Sequence, residues 1–295
     1  MARKQNWIVA IIIIASVLFF IFAVSLFIST ISSGGSFESS SGGSKVALVE
    51  VKGVIVNAEN TVRQLEKFAD NKSVKAIVLR IDSPGGGVAA SQEIYEKVRQ
   101  IRDSSKVVVA SMGSVAASGG YYIACAADTI MALPGTTTGS IGVITEIPDF
   151  NELLAKIGVR FEIIKSGKYK DTGTPYRRMT RDERAYMQTL IDDVYEQFVD
   201  VVAQERDMDV RAVKKYADGR VFTGQQAFKY GLIDTLGTYD DAIDLAARMG
   251  GITGEPKTIK ERKRKITFFD VMFQDFEEIF NMIQQYPRVQ YLLHM

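Results

Sequence analysis

Residues Val74–Ile81 read VKAIVLRI and Lys106–Met112 read KVVVASM, two nearly continuous apolar runs. A strand that is apolar on both faces must be covered on both, the condition of a parallel sheet packed between helices. Each run ends in a turn of small residues. The first is followed by Asp82-Ser83-Pro84-Gly85-Gly86-Gly87, the second by Gly113-Ser114-Val115-Ala116-Ala117-Ser118-Gly119-Gly120. Around them strands and helices alternate. Val46–Val56 reads as a strand pair or bent strand, Thr61–Ala69 and Val88–Ile101 as helices, and a small-residue helix runs from the Ser118 turn to about Ala127. Strands are expected at Thr129–Leu133, Gly139–Ile144 and Val159–Lys165, and a helix at Asp149–Ile157. This alternation predicts an α/β body of parallel β-α units in layers. Beyond Thr180 the pattern turns helical. Arg181–Arg206 repeats Met187, Leu190, Ile191, Val194, Phe198, Val201 and Val202 at three-four spacing, Thr223 and Gln226 form a capping-box pattern, and Tyr239–Met249 is a further helix.

A serine offered where a strand enters a helix is exposed to attack a carbonyl, and the N–H groups that follow can hold an oxyanion. Ser118 stands at such a point. The only histidine is His294, next to last, which argues against a Ser-His-Asp triad and makes lysine the expected base. The Gly85–Gly87 turn admits close backbone approach. It suits a tight β-to-α turn as well as a ligand cleft, and no Gly-Lys-Ser/Thr follows to make it a phosphate loop. Two small-residue turns, one β-α unit apart, are more informative together: they can set two N–H groups around one oxyanion. The single cysteine, Cys125, can form neither an intramolecular disulfide nor, alone, a metal cluster, and reads as a buried packing residue.

Trp7–Thr30 contains 24 residues without a charge. As a helix it reaches roughly 36 Å, enough for a hydrocarbon core of about 30 Å. A cleaved signal peptide would have a shorter apolar region of about 7–15 residues. Arg3 and Lys4 precede the span and no basic residue follows until Lys45, so residues 1–6 are expected in the cytoplasm and the remainder outside it. Residues 31–44, rich in Gly and Ser, read as a tether of about 20 Å mean span. The catalytic body is expected over 45–255. Residues 256–295 carry a basic run, Lys257–Lys265, and then an apolar helical stripe through Phe269, Phe273, Phe276 and Phe280. That stripe suits packing on the body or a second subunit, or contact with lipid headgroups. A formal net charge of +1 gives no reason to expect nucleic acid.

The segments ASMGSVAASGGYYIACAADTIMALPGTTTGSIGVI, RIDSPGGG and IKSGKYKD, taken together, resemble the signal peptide peptidase A family in its short, single-repeat form. The resemblance implies a ClpP/crotonase-like β-α superhelix and a membrane-anchored serine endopeptidase. It makes Ser118 the nucleophile and Lys170 the general base, with Ser140 orienting the lysine and Gly86 and Gly119 as oxyanion donors. Lys168 competes for the role of base, and local sequence does not separate the two. The resemblance further implies no metal or nucleotide cofactor and a homo-oligomeric ring in which Ser and Lys come from adjacent subunits. The implied substrates are residual signal peptides and other unfolded apolar segments. Three other readings share parts of the pattern: a Ser/Lys membrane protease cleaving a stomatin-like partner, a crotonase-like acyl-CoA enzyme, and a catalytically silent membrane scaffold.

Overall fold

The computed structural model describes residues 43–104, 106–261 and 290–292, all within one compact unit. The apolar span at 7–30, the tether up to Gly42 and the apolar stripe after Lys265 lie outside the described residues. No helix among the described residues is long and apolar enough to cross a membrane.

The architecture is α/β, built on a mostly parallel sheet. Strand β1 (Lys45–Lys52) leads through helix α1 (Glu59–Asp70) to β2 (Val74–Ser83), and the short β3 (Gly85–Gly87) opens into α2 (Val88–Ser104). Then come β4 (Val107–Ala117), α3 (Gly119–Ala124), β5 (Thr129–Ala132), β6 (Thr137–Gly139) and α4 (Asn151–Lys156). The long α5 (Arg181–Glu205) precedes α6 (Val210–Lys214), β7 (Val221–Thr223), α7 (Gly224–Lys229), β8 (Thr235–Leu236) and α8 (Tyr239–Met249). β9 (Lys257–Lys260) and β10 (Gln290–Leu292) follow. The main sheet runs β7-β6-β4-β2-β1-β9, with β5 pairing both β4 and β8. Its pairings are parallel except for β6 with β7.

The apolar runs are explained by helices on both sides of the sheet. On one face Ile77, Leu79 and Ile81 join Ile94, Val98, Tyr121 and Phe198 in the larger core cluster. On the other, Ala76, Val78 and Val109 pack against Ala242, Ala246 and Ala247 of α8. Small side chains on α8 let its axis approach the sheet closely. Cys125 lies in the larger cluster, and burial pushes its thiol up to about 12.

β4 divides its pairing along its length. Val109–Ser111 pair with β5, and Val115–Ala117 pair with β6. Between these stretches its register with β2 jumps, from Ile81↔Met112 to Ser83↔Ala116. Asp82 bridges the irregularity by accepting the Val115 N–H at 3.1 Å. Gly113 makes room for it, since a Cβ there would stand 2.8 Å from the Asp82 carboxyl carbon. The bulge re-aims the end of β4 toward the β2–β3 turn.

Three sequence expectations are corrected. The strand expected at Gly139–Ile144 is the earlier Thr137–Gly139, because Ser140 turns the chain out of the ladder. Val159–Lys165 is not a strand, and its apolar side chains face solvent, with Phe161 52% and Ile164 94% exposed. Strand formation requires a neighbouring edge, and the loop lies off the sheet. In α5 the apolar stripe is buried only toward the C-terminus, at Phe198, Val199, Val202 and Ala203, while Leu190 is exposed. Lys257–Lys260, the start of the basic run, forms the sheet edge beside β1, and Glu261 accepts from Arg63 at 2.9 Å and Lys67 at 3.1 Å.

Candidate active site

Ser118 sits between the end of β4 and the start of α3, with φ 54° and ψ −119°. A residue with a Cβ avoids this region, at a cost of about 1–3 kcal/mol, and such strain is held only where the surroundings enforce it. β4 enforces it from one side and the buried helix α3 from the other. Tyr121, fully buried in that helix, donates its hydroxyl to Leu232 O at 2.8 Å. The Ser118 side chain is buried, and its Oγ has no hydrogen-bond partner among the described residues. A buried hydroxyl left unpaired is costly, so an unpaired one on a strained turn is a candidate reactive group.

Ser140 is the neighbour of Ser118. Parallel pairing of Ala117 with Gly139 places both serines one step beyond the ladder, and the Ser118 N–H donates to Gly139 O at 2.8 Å. Ser140 also has a left-handed backbone, φ 51°, and is nearly buried. It borders a cavity of about 470 Å³ that includes Val143, Ile144, Ile191 and Tyr195. A second cavity of about 590 Å³ shares Val143, Ile144 and Ile191 and extends to Arg177 and Met187.

The two glycine turns meet. A Cβ on Gly119 would stand 2.5 Å from Ser91 Oγ and 3.3 Å from Gly86 N, and a Cβ on Gly86 would stand 2.2 Å from Ile55 O. These backbones therefore approach more closely than any residue with a side chain permits. Ser91 Oγ donates to Gly87 O at 2.9 Å, and Ser83 Oγ accepts the Gly85 N–H at 3.1 Å, which ties the first turn down. Ser118, Ser140, Gly86 and Gly119 thus converge on one place.

Lys170 does not join them within one chain. It lies on an irregular loop and is exposed, while the Ser118 hydroxyl stays unpartnered. The loop does separate the competing lysines. Lys168 pairs with Asp182 at 2.5 Å, which raises its pKa. Lys165 pairs with Asp171, and Lys170 has no ion pair among the described residues. Asp171 also accepts from Arg177 Nε at 2.8 Å, and Lys165 and Arg177 together hold its carboxyl below the usual range. Arg177 Nη1 reaches Glu183 at 2.8 Å, and Glu183 is held well below its ordinary value, mainly by Arg177. Glu183 closes a capping box with Thr180 at the start of α5. The Thr-x-x-Glu spacing at 180–183 carried that signal in the sequence. The partnerships of Asp82 and Arg177 carried none, because they depend on a residue distant along the chain or on loop geometry.

The family comparisons assign this arrangement, a strained serine beside two interlocked glycine turns on a β-α sheet, to a hydrolase of the ClpP type. The model described as Clp protease matches residues 50–141, and that described as peptidase family S49 matches residues 100–252. A Synechocystis protein provisionally named a protease is 46% identical over 237 residues, 78% of this chain and 85% of its own. An Enterococcus faecium protein with the provisional name signal peptide peptidase SppA is 36% identical over 247 residues, 79% of this chain and 71% of its own. The chloroplastic serine protease SPPA of Arabidopsis thaliana is 36% identical over 242 residues, 81% of this chain and 35% of that longer protein. The chain belongs to peptidase family S49 and is a serine peptidase of the SppA type.

Proposed function

We propose that this protein is a membrane-anchored endopeptidase that degrades residual signal peptides and other unfolded apolar peptides outside the cytoplasm, tethered by the apolar span at 7–30. The observation that carries the catalytic reading is the buried, strained, unpartnered hydroxyl of Ser118 beside Gly86 and Gly119. In this reading Ser118 Oγ attacks the peptide carbonyl and Lys170 Nζ takes its proton. The N–H groups of Gly86 and Gly119 hold the oxyanion, since the Ser118 N–H is already bonded to Gly139 O. Lys170 returns the proton to the leaving amine, and water then releases the acyl-enzyme. An extended substrate suits the glycine turn: residues Gln290–Leu292 of the chain pair antiparallel with Gly85–Gly87, as a captured peptide strand would.

The lysine must lose its proton to act. An ordinary lysine amine is protonated at neutral pH, and burial away from water favours its uncharged form. One chain leaves Lys170 in water, so we propose that a second copy buries it and delivers it to Ser118, with Ser140 orienting the amine. Exposed Phe161, Ile163, Ile164 and Leu190 on the loop and α5 favour such an assembly. The test uses the full chain in detergent with an apolar signal-peptide sequence as substrate. Ser118→Ala and Lys170→Ala are expected to abolish cleavage, while Lys168→Ala retains it. Parental activity in Lys170→Ala would defeat the assignment of the base.

A further inference from the structure

Asp171 follows Lys170 directly in the chain, and a carboxylate beside an amine holds the proton on it. A base at 170 therefore needs the neighbouring negative charge to be engaged elsewhere. The loop is built that way. The Asp171 side chain is only 10% exposed and lies between Lys165 and Arg177. Arg177 in turn presents its two Nη groups to the two oxygens of Glu183, which is 3% exposed and fixed by the Thr180 N–H at 2.9 Å and the Thr180 hydroxyl at 3.0 Å. A continuous chain of ion pairs thus runs from the residue after Lys170 to the first turn of α5.

We propose that Arg177, assisted by Lys165, is a positioning residue for catalysis: it turns the Asp171 carboxylate away from the Lys170 amine and fixes the loop to α5. The proposal rests on the reading of Lys170 as the base. Besides Lys170, the charged groups around the loop are Arg160, Glu162, Lys165, Lys168 and Asp171 on the loop itself and Arg177 and Arg178 on the following turn. Asp149, just before α4, and Glu152, in its first turn, engage Arg178, while Asp182 and Glu183 on α5 engage Lys168 and Arg177. Asp171 is the one carboxylate next in sequence to Lys170. Both of its cationic partners, Lys165 and Arg177, come from outside the Lys170–Asp171 pair.

Loss of Arg177 leaves the carboxylate half-neutralised and free to approach the amine. The experiment is the pH dependence of kcat/KM for the full-length protein on one apolar peptide. Arg177→Gln is expected to move the rising limb to higher pH by about one unit. Arg177→Lys restores part of the shift, and Asp171→Asn added to Arg177→Gln moves the limb back toward the parent. Lys165→Met, which removes the other cation on Asp171, gives an alkaline shift of comparable size and serves as the reporter if Arg177→Gln fails to fold. A lowered rate with an unmoved limb in the variant that folds would overturn the proposal, as would a shift that Asp171→Asn does not reverse. Parental activity in Lys170→Ala would instead defeat the underlying assignment of the base, so the two failures are distinguishable.

Discussion

The N–H of Ser118 donates to the carbonyl of Gly139 at 2.8 Å, so Ser118 and Ser140 leave two paired parallel strands at the same level. Both then turn left-handed, with φ 54° and 51°. This pairing brings two hydroxyl-bearing residues, 22 positions apart in the chain, to the same level of the sheet. It also occupies the Ser118 N–H, leaving the turns at Gly86 and Gly119 as the candidate oxyanion donors.

Strain at position 118 is measurable. Ser118→Ala is expected to fold and to lose at least about 10³-fold in kcat/KM. Ser118→Gly is expected to be equally inactive but to unfold at a higher urea concentration than Ser118→Ala. Relief of about 1–3 kcal/mol of backbone strain outweighs the roughly 0.4–1 kcal/mol by which glycine stabilises the unfolded chain. A lower midpoint for the glycine variant would show that the position is relaxed.

The glycine turns predict a split between stability and rate. Gly119→Ala sets a Cβ against Ser91 Oγ and Gly86 N, and is expected to lower kcat by about 10²-fold. Gly86→Ala meets the Ile55 carbonyl and is expected to cost about 1–3 kcal/mol as well as activity. Gly135→Ala, with nothing within 4 Å of the added methyl, is the control and is expected within about 0.5 kcal/mol of the parent. Denaturant titration and steady-state kinetics on the three variants check this.

Acid loosens the start of α5. The folded Glu183 and Asp171 titrate below their ordinary values of 4.5 and 3.8. Depressed carboxyls stabilise the fold above the ordinary value, and this contribution is lost as pH falls through the folded one. The stability difference between the parent and Glu183→Gln is therefore expected to be full at pH 7 and to shrink from about pH 4.5 downward. A difference independent of pH between 7 and 2 would contradict the ion-pair assignment.

In the parent background, Asp171→Asn alone is expected to leave the rising limb of the pH–rate profile within about half a unit, because the carboxylate is already held by Lys165 and Arg177. A large acid shift would instead place that carboxylate against Lys170.

The proposed sharing of sites between subunits predicts complementation. Ser118→Ala and Lys170→Ala subunits, each inactive alone, are expected to recover roughly a quarter of parental activity when co-assembled in equal amounts, since one pairing in four joins an intact serine to an intact lysine. Ile164→Asp is expected to dissociate the proposed assembly while leaving the unfolding midpoint of the subunit unchanged. No recovery on mixing would mean that each subunit completes its own site.

Local chemistry was enough for most of the elements and for the family. Continuous apolar runs required strands covered on both faces, and the small-residue turns after them marked Gly86, Ser118 and Gly119. Other features depended on residues far apart in the chain. The bulge patched by Asp82 and Gly113 depends on how β2 and β4 register, and the Ser118–Ser140 pairing on the alignment of β4 with β6. Val159–Lys165 has the composition of a strand, but no sheet edge among the described residues pairs with it, and an edge is a property of the assembled molecule. Lys168 and Lys170 follow the same rule. Both are lysines on one loop, and they become unlike only when Asp182 on the folded helix takes one of them. Patterning and turn chemistry act over a few residues and are written in the sequence, whereas charge pairing and strand register act through space and exist only once the chain has folded.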